Sequence, residues 1–414
     1  MDFALKQLGD EEKQNREAVI GATGKAIWTE YSTNSAASSI TELVLWEKGK
    51  RIDLTADQAA NFSANSKPSI QSNYVTWIAN YRKFTPVSWT LVEVPQEKEA
   101  PPEIPAQYLP FENEVGDQWF INVGDAVDGL LVTTNFGVVI TNMVNVSTNV
   151  VGRDPSGVAE INLWAGGTGE VIRVSCDIRN DFGPSVWGGL VAWQKAKGWP
   201  FGWEIMMWET GKTSQLTTNY YYDMAPVVQN RQIAWYGWDG YDFEIYLCDV
   251  DKGETAQLTS NRYDDVGPVM WDGVVAWEGY PAVEADVFMW KNGQVSKLSD
   301  NVEDDTNPRI WNGQVVWQGF DGDDFEVYLF DGIKTVKLTA NTYDDVSPEI
   351  ADGLITWMGY EGNWDSEIFV SDGKDIKQLT DNEWEDRDPK TSGGRIIWTV
   401  VADQKSQVWI AEPQ

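Results

Sequence analysis

An all-β fold, a closed ring of four-stranded antiparallel blades, is predicted by three features of the sequence. The first is a Pro and a Trp nine residues apart, in Pro68/Trp77, Pro184/Trp193, Pro226/Trp235, Pro268/Trp277, Pro308/Trp317, Pro348/Trp357 and Pro389/Trp398. The second is a period of about 40 residues between copies, with β character throughout, which indicates a propeller or a solenoid. The third is that each clean copy contains four short strand-like stretches, the content of one propeller blade.

The stretch Asp265–Trp277, DVGPVMWDGVVAW, shows the unit. The residues after Pro268 form a first strand, and Asp272-Gly273 is a tight hairpin turn of the kind that favours Asp-Gly. Asn312-Gly313 and Asp352-Gly353 repeat that chemistry, with Gly188-Gly189 and Gly393-Gly394 as variants. Val274–Trp277 is the second strand, apolar on both faces, as expected for a sheet covered on both sides. Third strands read EIMMW (Glu204–Trp208), EIYLCD (Glu244–Asp249), DVFMW (Asp286–Trp290), EVYLF (Glu326–Phe330) and EIFVSD (Glu367–Asp372). Fourth strands carry SQLT, AQLT, SKLS, VKLT and KQLT. Pro heads the first strand because that strand is a sheet edge lining the channel, where a missing N–H costs little.

The chain ends explain each other. The last unit has a third strand, Gln407–Glu412, and no fourth. The opening LKQLGDEEKQ (Leu5–Gln14) reads like IKQLTDNEWE (Ile376–Glu385), so Leu5–Leu8 is expected to supply the missing strand and close the ring. The first full blade runs Ala18–Thr55, with Trp28 in the signature position and Glu42–Trp46 as third strand. The second begins at Pro68, with Ser88–Val94 as its expected third strand. Pro95, Pro101, Pro102, Pro105 and Pro110 then punctuate an acidic stretch that reads as loop or polyproline-like. GDAVDGLLVTT (Gly124–Thr134) again matches the unit, and Glu160–Trp164 with Glu170–Ser175 would complete a degenerate blade. The expectation is nine blades in one domain, 1–414, with an irregular segment at about 96–156; eight blades with a β-rich insertion there is the alternative.

Sixty-four acidic against 31 basic residues give a formal charge of −33, which argues against nucleic acid and anionic membrane as partners. With no His, imidazole acid–base chemistry, Ser–His triads and His-based zinc sites cannot be built from this chain. The two cysteines, Cys176 and Cys248, occupy different repeat positions and do not suggest a disulfide framework. No apolar run approaches the roughly 18 residues of a membrane span. The opening MDFALKQLGDEEKQNRE has no apolar signal core. An extracellular or periplasmic, envelope-associated location is expected for so acidic a propeller.

The run EIYLCDVDKGETAQLTSNRYDDVGPVMWDGVVAW resembles the TolB-like, WD40-related β-propeller repeat. That family's pattern is an IY-x-x-D strand, a QLT strand, a D-x-x-P entry and a G-x-I-x-W/F strand. The resemblance covers most of the chain and implies the fold; it says little of function, since the family spans periplasmic scaffolds, surface proteins and a few enzymes. The chain departs from the family's namesake in lacking an N-terminal α/β domain and in having more blades.

In a four-strand meander, the second–third loop and the crossover to the next blade share one face. The crossovers hold Asp181, Asp223, Asp265, Asp305, Asp345 and Asp386, and the loops hold Asp239, Asp242, Asp321, Asp323, Asp324 and Asp365. A ring of carboxylates around the channel mouth is expected. The repeated Asp either caps backbone N–H groups in its own turn or helps hold Ca²⁺, for which Asp265, Asp305, Asp345, Asp321 and Asp323 are the candidates. Trp199, Trp203, Trp238, Trp364 and Trp384 fall in loops of the same face, suited to stacking on sugar rings or to gripping a cation, or else to lidding the gap between loops.

Three functions compete. One is a non-catalytic binding or scaffold propeller presenting this acidic, aromatic face to a protein or glycan. Another is a structural protein of the cell surface. The third is a carboxylate-dependent glycoside hydrolase or lyase. Carboxylates recur in every clean unit and no pair stands out, while catalytic centres tend to break a repeat locally. The expectation is therefore binding, with no catalytic residue singled out.

Overall fold

Asp272 and Gly273 both take left-handed backbone angles, φ 47° and 76°, as a two-residue turn between twisted strands requires. The same pair of angles recurs at Asn312-Gly313 and Asp352-Gly353. Each of these turns joins a first strand to a second, and the pairing continues outward through a third and a fourth. The computed structural model describes residues 3–9, 13–32, 40–55, 62–71, 74–81, 108–112, 118–122, 159–165, 170–175, 179–197, 202–219, 221–299, 301–361, 365–402 and 405–413.

Among the described residues the strands form eight four-stranded antiparallel sheets and one separate hairpin, Tyr108–Glu112 with Gln118–Asn122, and no helix. Blade 1 begins at Gln14–Ile20 and blade 2 at Phe62–Gln71. The first strands of blades 3 to 8 are Asp181–Trp187, Asp223–Gln229, Asp265–Trp271, Asp305–Trp311, Asp345–Ala351 and Glu385–Ser392. First strands touch first strands from each blade to the next, including blade 8 to blade 1. The ring is therefore a closed β-propeller with its first strands around the axis.

Eight blades replace the nine expected. The third strand of blade 2 is Ala159–Ala165, which pairs with the second strand Tyr74–Tyr81 in the register Asn162 to Trp77. The irregular segment is thus an insertion between two paired strands. Lengthening such a connection costs little, because loop-closure entropy grows only slowly with length. Ser88–Val94 and Gly124–Thr134, the strands expected there, lie outside the described residues.

The closing strand is Phe3–Gln7, antiparallel to Lys405–Pro413 with Leu5 opposite Ala411. It supplies the fourth strand of blade 8 from the other end of the chain.

Burial of tryptophan between blades holds the ring. The signature residues Trp28, Trp77, Trp193, Trp235, Trp277, Trp317, Trp357 and Trp398 are all fully buried. Each sits in an apolar cluster with residues of the preceding blade, as Trp317 does with Ala276 and Val287. Such a side chain removes at least about 150 Å² from water, worth roughly 4 kcal/mol. In blades 4 to 7 the indole also stacks on an aromatic residue of its own third strand, as in Trp317 on Tyr328 at 5.8 Å. The Thr or Ser of the QLT-like segments has a defined use as well. Its hydroxyl accepts from the third strand, as Thr259 does from Ile245 N–H at 2.8 Å and Thr339 from Val327 N–H at 2.8 Å.

At the hairpin end, Trp187, Trp271 and Trp311 of blades 3, 5 and 6 meet at 6.3 and 5.9 Å. Because blades 3 and 5 are not neighbours, this contact lies near the axis. The other end of the ring carries the crossovers and the second–third loops.

Candidate functional site

The repeated Asp is a strut. Asp265, Asp305 and Asp345 are fully buried, and each accepts the indole N–H of its own blade's signature Trp, at 2.8, 2.7 and 2.8 Å. Asp181, Asp223 and Asp386 do the same for Trp193, Trp235 and Trp398. The second oxygen of Asp265 accepts from Asn261 and that of Asp345 from Asn341, both at 2.5 Å. In blades 4 to 7 the approach leaves no room for a side chain on the second strand: a Cβ on Gly319 would lie 2.3 Å from Asp305 Oδ1. Burial pushes Asp265 up to about 6 and Asp305, Asp345 and Asp386 up to about 7, against the lowering effect of these donors. Asp265, Asp305 and Asp345 were the expected Ca²⁺ ligands at the channel mouth. The fold turns their oxygens inward, so the mouth carries no open ring of these groups.

The second–third loops of blades 4 and 6 share one turn. Asp239 Oδ1 accepts from Tyr241 N–H at 2.8 Å, and Asp321 Oδ1 accepts from Asp323 N–H at 3.0 Å. Each turn brings three carboxylates together, Asp239 with Asp242 and Glu244, and Asp321 with Asp324 and Glu326. In blade 6, Lys337 bridges Asp321 and Glu326 at 2.6 and 3.1 Å and, with the turn's N–H groups, holds Asp321 down at about 2. Asp323 is exposed. In blade 4 no lysine or arginine among the described residues pairs with these carboxylates, and Gln257 stands where blade 6 has Lys337. Burial, opposed by the neighbouring Thr259 hydroxyl and reinforced by the charges of Asp265, Asp242 and Asp239, pushes Glu244 up to about 7.

The aromatic candidates separate. Trp203 packs edge-on to Phe182 at 5.4 Å and Trp238 to Phe243 at 5.2 Å, so both rings are engaged within their own blades. Trp384 is 47% exposed, and Asp365 is half-buried. Trp199 and Trp364 lie outside the described residues.

A different place breaks the repeat. Each first strand carries a bulge whose middle residue, just before the Pro position, has a left-handed backbone. In blades 3 to 7 that residue is Gly183, Ala225, Gly267, Asn307 and Ser347. In blades 8, 1 and 2 it is Asp388, Glu17 and Lys67, with φ 53°, 55° and 49°. A charged residue there bears about 1 kcal/mol or more of backbone strain that glycine avoids. These three residues line one cavity of about 610 Å³, where the first strands of the three blades begin. Arg16, Arg387, Lys390 and Lys405 complete its charged lining, with the hydroxyls of Thr399 and Ser406. Five cations and two carboxylates line it, in a chain of charge −33, with Lys390 also paired to Glu349 and Arg387 to Glu385. Glu17 Oε2 accepts from Lys67 N–H at 2.9 Å, and Arg16 lies over the Tyr31 ring at 5.2 Å. The volume is that of a small-molecule or oligomer subsite. Sequence reasoning passed over this place, although the residue before each Pro could have been compared across copies.

No protein-family model matches the chain, and a search of curated proteins finds no match. Among solved structures, the chain is similar to the β-propeller domain of the trilobed protease from Pyrococcus furiosus, with TM-score 0.51 and 10% identity over 86% of this chain and 95% of that one. It is similar to prolyl endopeptidases, with TM-score 0.53 and 9% identity over 95% of this chain and 55% of theirs. TolB from Acinetobacter baumannii aligns with TM-score 0.37 and 12% identity over 62% of this chain and 76% of that one. The chain thus spans little more than half the length of the prolyl endopeptidases it matches. At these identities the likeness shows the fold, a β-propeller. The expectation of a non-catalytic binding or scaffold propeller, with a surface-assembly protein as its alternative, is corrected by this comparison: the propellers that match are those of a protease and of prolyl endopeptidases.

Proposed function

We propose that the protein is a carboxylate-dependent enzyme that cleaves an anionic polymer, an acidic oligosaccharide, in the cavity between blades 8, 1 and 2. The observation that carries this reading is the local break in the repeat. Three consecutive blades place Asp388, Glu17 and Lys67 at strained bulge positions that the next five blades fill with small or neutral residues. Arg16 and Lys67, with Lys405 beside them, would anchor the substrate's carboxylates by charge-assisted hydrogen bonds, while Arg387 and Lys390 keep ion pairs with Glu385 and Glu349. Glu17 and Asp388 would divide the acid–base work: one donates a proton to the leaving glycosidic oxygen while the other takes a proton from the attacking water. Two carboxylates without imidazole suit glycosidic cleavage better than a Ser–His route, which this chain cannot supply. The propellers of hydrolytic enzymes among its structural neighbours agree with this direction.

We assign the repeat itself to the TolB-like class on its D-x-x-P, IY-x-x-D and QLT segments, and we place the protein outside the cytoplasm, where acidic polysaccharides are found.

The test is reducing-end release from polygalacturonate, alginate and hyaluronan, beside neutral glucans and acidic peptides, by the full chain. Cleavage of one acidic polysaccharide is expected, with kcat lowered by about 100-fold or more in Glu17→Gln and Asp388→Asn and KM raised in Lys67→Ala. Absence of cleavage of every acidic polysaccharide, or turnover indifferent to both carboxamide variants, would sink the proposal.

A further inference from the structure

Blades 4 and 6 have the same second–third turn and the same three carboxylates, and they differ in what neutralises them. In blade 6 the fourth strand places Lys337 opposite Tyr328, and its ammonium reaches Asp321 and Glu326. In blade 4 the equivalent position, opposite Tyr246, is Gln257, which carries no charge. The carboxylate that opens the third strand also has a lysine in blade 3, Lys197 on Glu204, and in blade 5, Lys297 on Asp286 at 2.7 Å. Blade 4 is flanked on both sides by blades that solve the problem internally.

Glu244 shows what is missing. It is fully buried, and apart from the neutral hydroxyl of Thr259 beside it, its carboxylate oxygens have no donor and no cation among the described residues. Asp242, 7% exposed, has its Oδ1 buried and unpartnered in the same way. Leaving buried carboxylate oxygens unpartnered costs more than almost any other polar defect. One ligand atom from each of Asp239, Asp242 and Glu244 lies within 4.8 Å of the others. Two oxygens on opposite sides of one Ca²⁺, each at about 2.4 Å, stand that far apart.

We propose that Asp239, Asp242 and Glu244 bind a divalent, oxygen-seeking cation of the Ca²⁺ class, which takes the place that Lys337 holds in blade 6. Asp239 Oδ1 is taken by the turn's N–H groups, so its Oδ2 faces the ion. Both oxygens of Glu244 are open to bidentate contact, and water fills the remaining positions of a six- to eight-oxygen shell. Mg²⁺ fits less well, since it demands a tight octahedron and gives up its waters reluctantly. The site stands apart from the cavity of blades 8, 1 and 2, so its test is separate from the activity assay.

The experiment is calorimetric titration of the chelator-treated full chain with CaCl₂, paired with thermal unfolding in CaCl₂ and in EDTA. Wild type is expected to bind one Ca²⁺ with Kd below about 1 mM and to unfold at least about 2 °C higher with the ion than without it. Gln257→Lys, which copies blade 6, should abolish the binding and unfold at the same temperature in CaCl₂ and EDTA. Lys337→Gln, which copies blade 4, should raise the stoichiometry to two. Wild type that binds no Ca²⁺ would overturn the proposal, and so would saturable binding that persists unchanged in Gln257→Lys. Because Gln257 is exposed and outside the carboxylate group, that variant keeps the test informative even where Glu244→Gln fails to fold.

Discussion

Asp305 and Trp317 stand twelve residues apart in sequence and 2.7 Å apart in the fold, and this joint recurs in six blades. Blade 1 builds it differently. Asn15 replaces the Asp, and Trp28 donates instead to Glu30 at 3.1 Å, on the second strand where blades 4 to 7 have Gly. Glu30 is held ionised by Arg51 and Lys13 despite its burial. The uncompensated joints titrate the other way. A carboxyl whose folded value is raised holds its proton more tightly in the folded chain than in the unfolded one, so protonation favours folding. Asp305, Asp345 and Asp386, pushed from 3.8 up to about 7, contribute stability that is fully present below about 4 and lost as pH rises through about 7. Thermal unfolding in chelator is therefore expected to move up by on the order of 5 °C from about pH 8 to about pH 5.5. At lower pH the trend reverses as Asp321, Glu30 and Glu349, whose values are lowered, lose their charge. A flat or falling profile between about pH 8 and about pH 5.5 would show that burial of these aspartates is compensated.

Phe3–Gln7 is the element on which closure depends. It forms the fourth strand of blade 8 with a partner some 400 positions later in the chain, Leu5 against Ala411. Without it, Lys405–Pro413 would present an unpaired edge, which is a template for pairing with a second chain. A chain beginning after Gly9 is expected to unfold at lower temperature and to self-associate, as measured by light scattering during a thermal ramp. A truncated chain that matched the full one in both would show that the inter-blade Trp clusters suffice. The match between LKQL and IKQL made this strand legible, because a fourth strand has one sequence pattern whichever end of the chain supplies it. The number of blades was harder to read. GDAVDGLLVTT has the pattern of a first and second strand, but the third strand of blade 2 is Ala159–Ala165, further along the chain, paired with Tyr74–Tyr81.

Charge is the property of the whole molecule that local contacts do not balance. A chain of −33 repels itself when folded, and the long-range part of that repulsion is screened at ionic strengths near 0.1 M and above. Thermal unfolding at about pH 8 in chelator is expected to rise as NaCl goes from about 10 mM to about 500 mM. A fall instead would mean that ion pairs such as those of Glu30 and Glu349 outweigh the net repulsion. Against this background a cavity lined by five cations beside two carboxylates is a local concentration of positive charge, and only the ring brings its residues together. Arg16, Lys67 and Lys390 belong to first strands that are distant in sequence, and blade 8 becomes the neighbour of blade 1 only on closure.

The sequence by itself determined the blade: its four strands, its Asp-Gly turns, its buried signature Trp and its swapped closing strand, because each depends on residues within one period or on a copied pattern. Tertiary structure decided what the polar groups do. Whether an Asp faces a channel or an indole, and whether a carboxylate group meets a lysine or a glutamine, depends on pairing register across strands. Which three bulge residues share a cavity depends on the circular order of the blades. Both are relations between distant residues, set by packing and closure, and no single period of the repeat contains them.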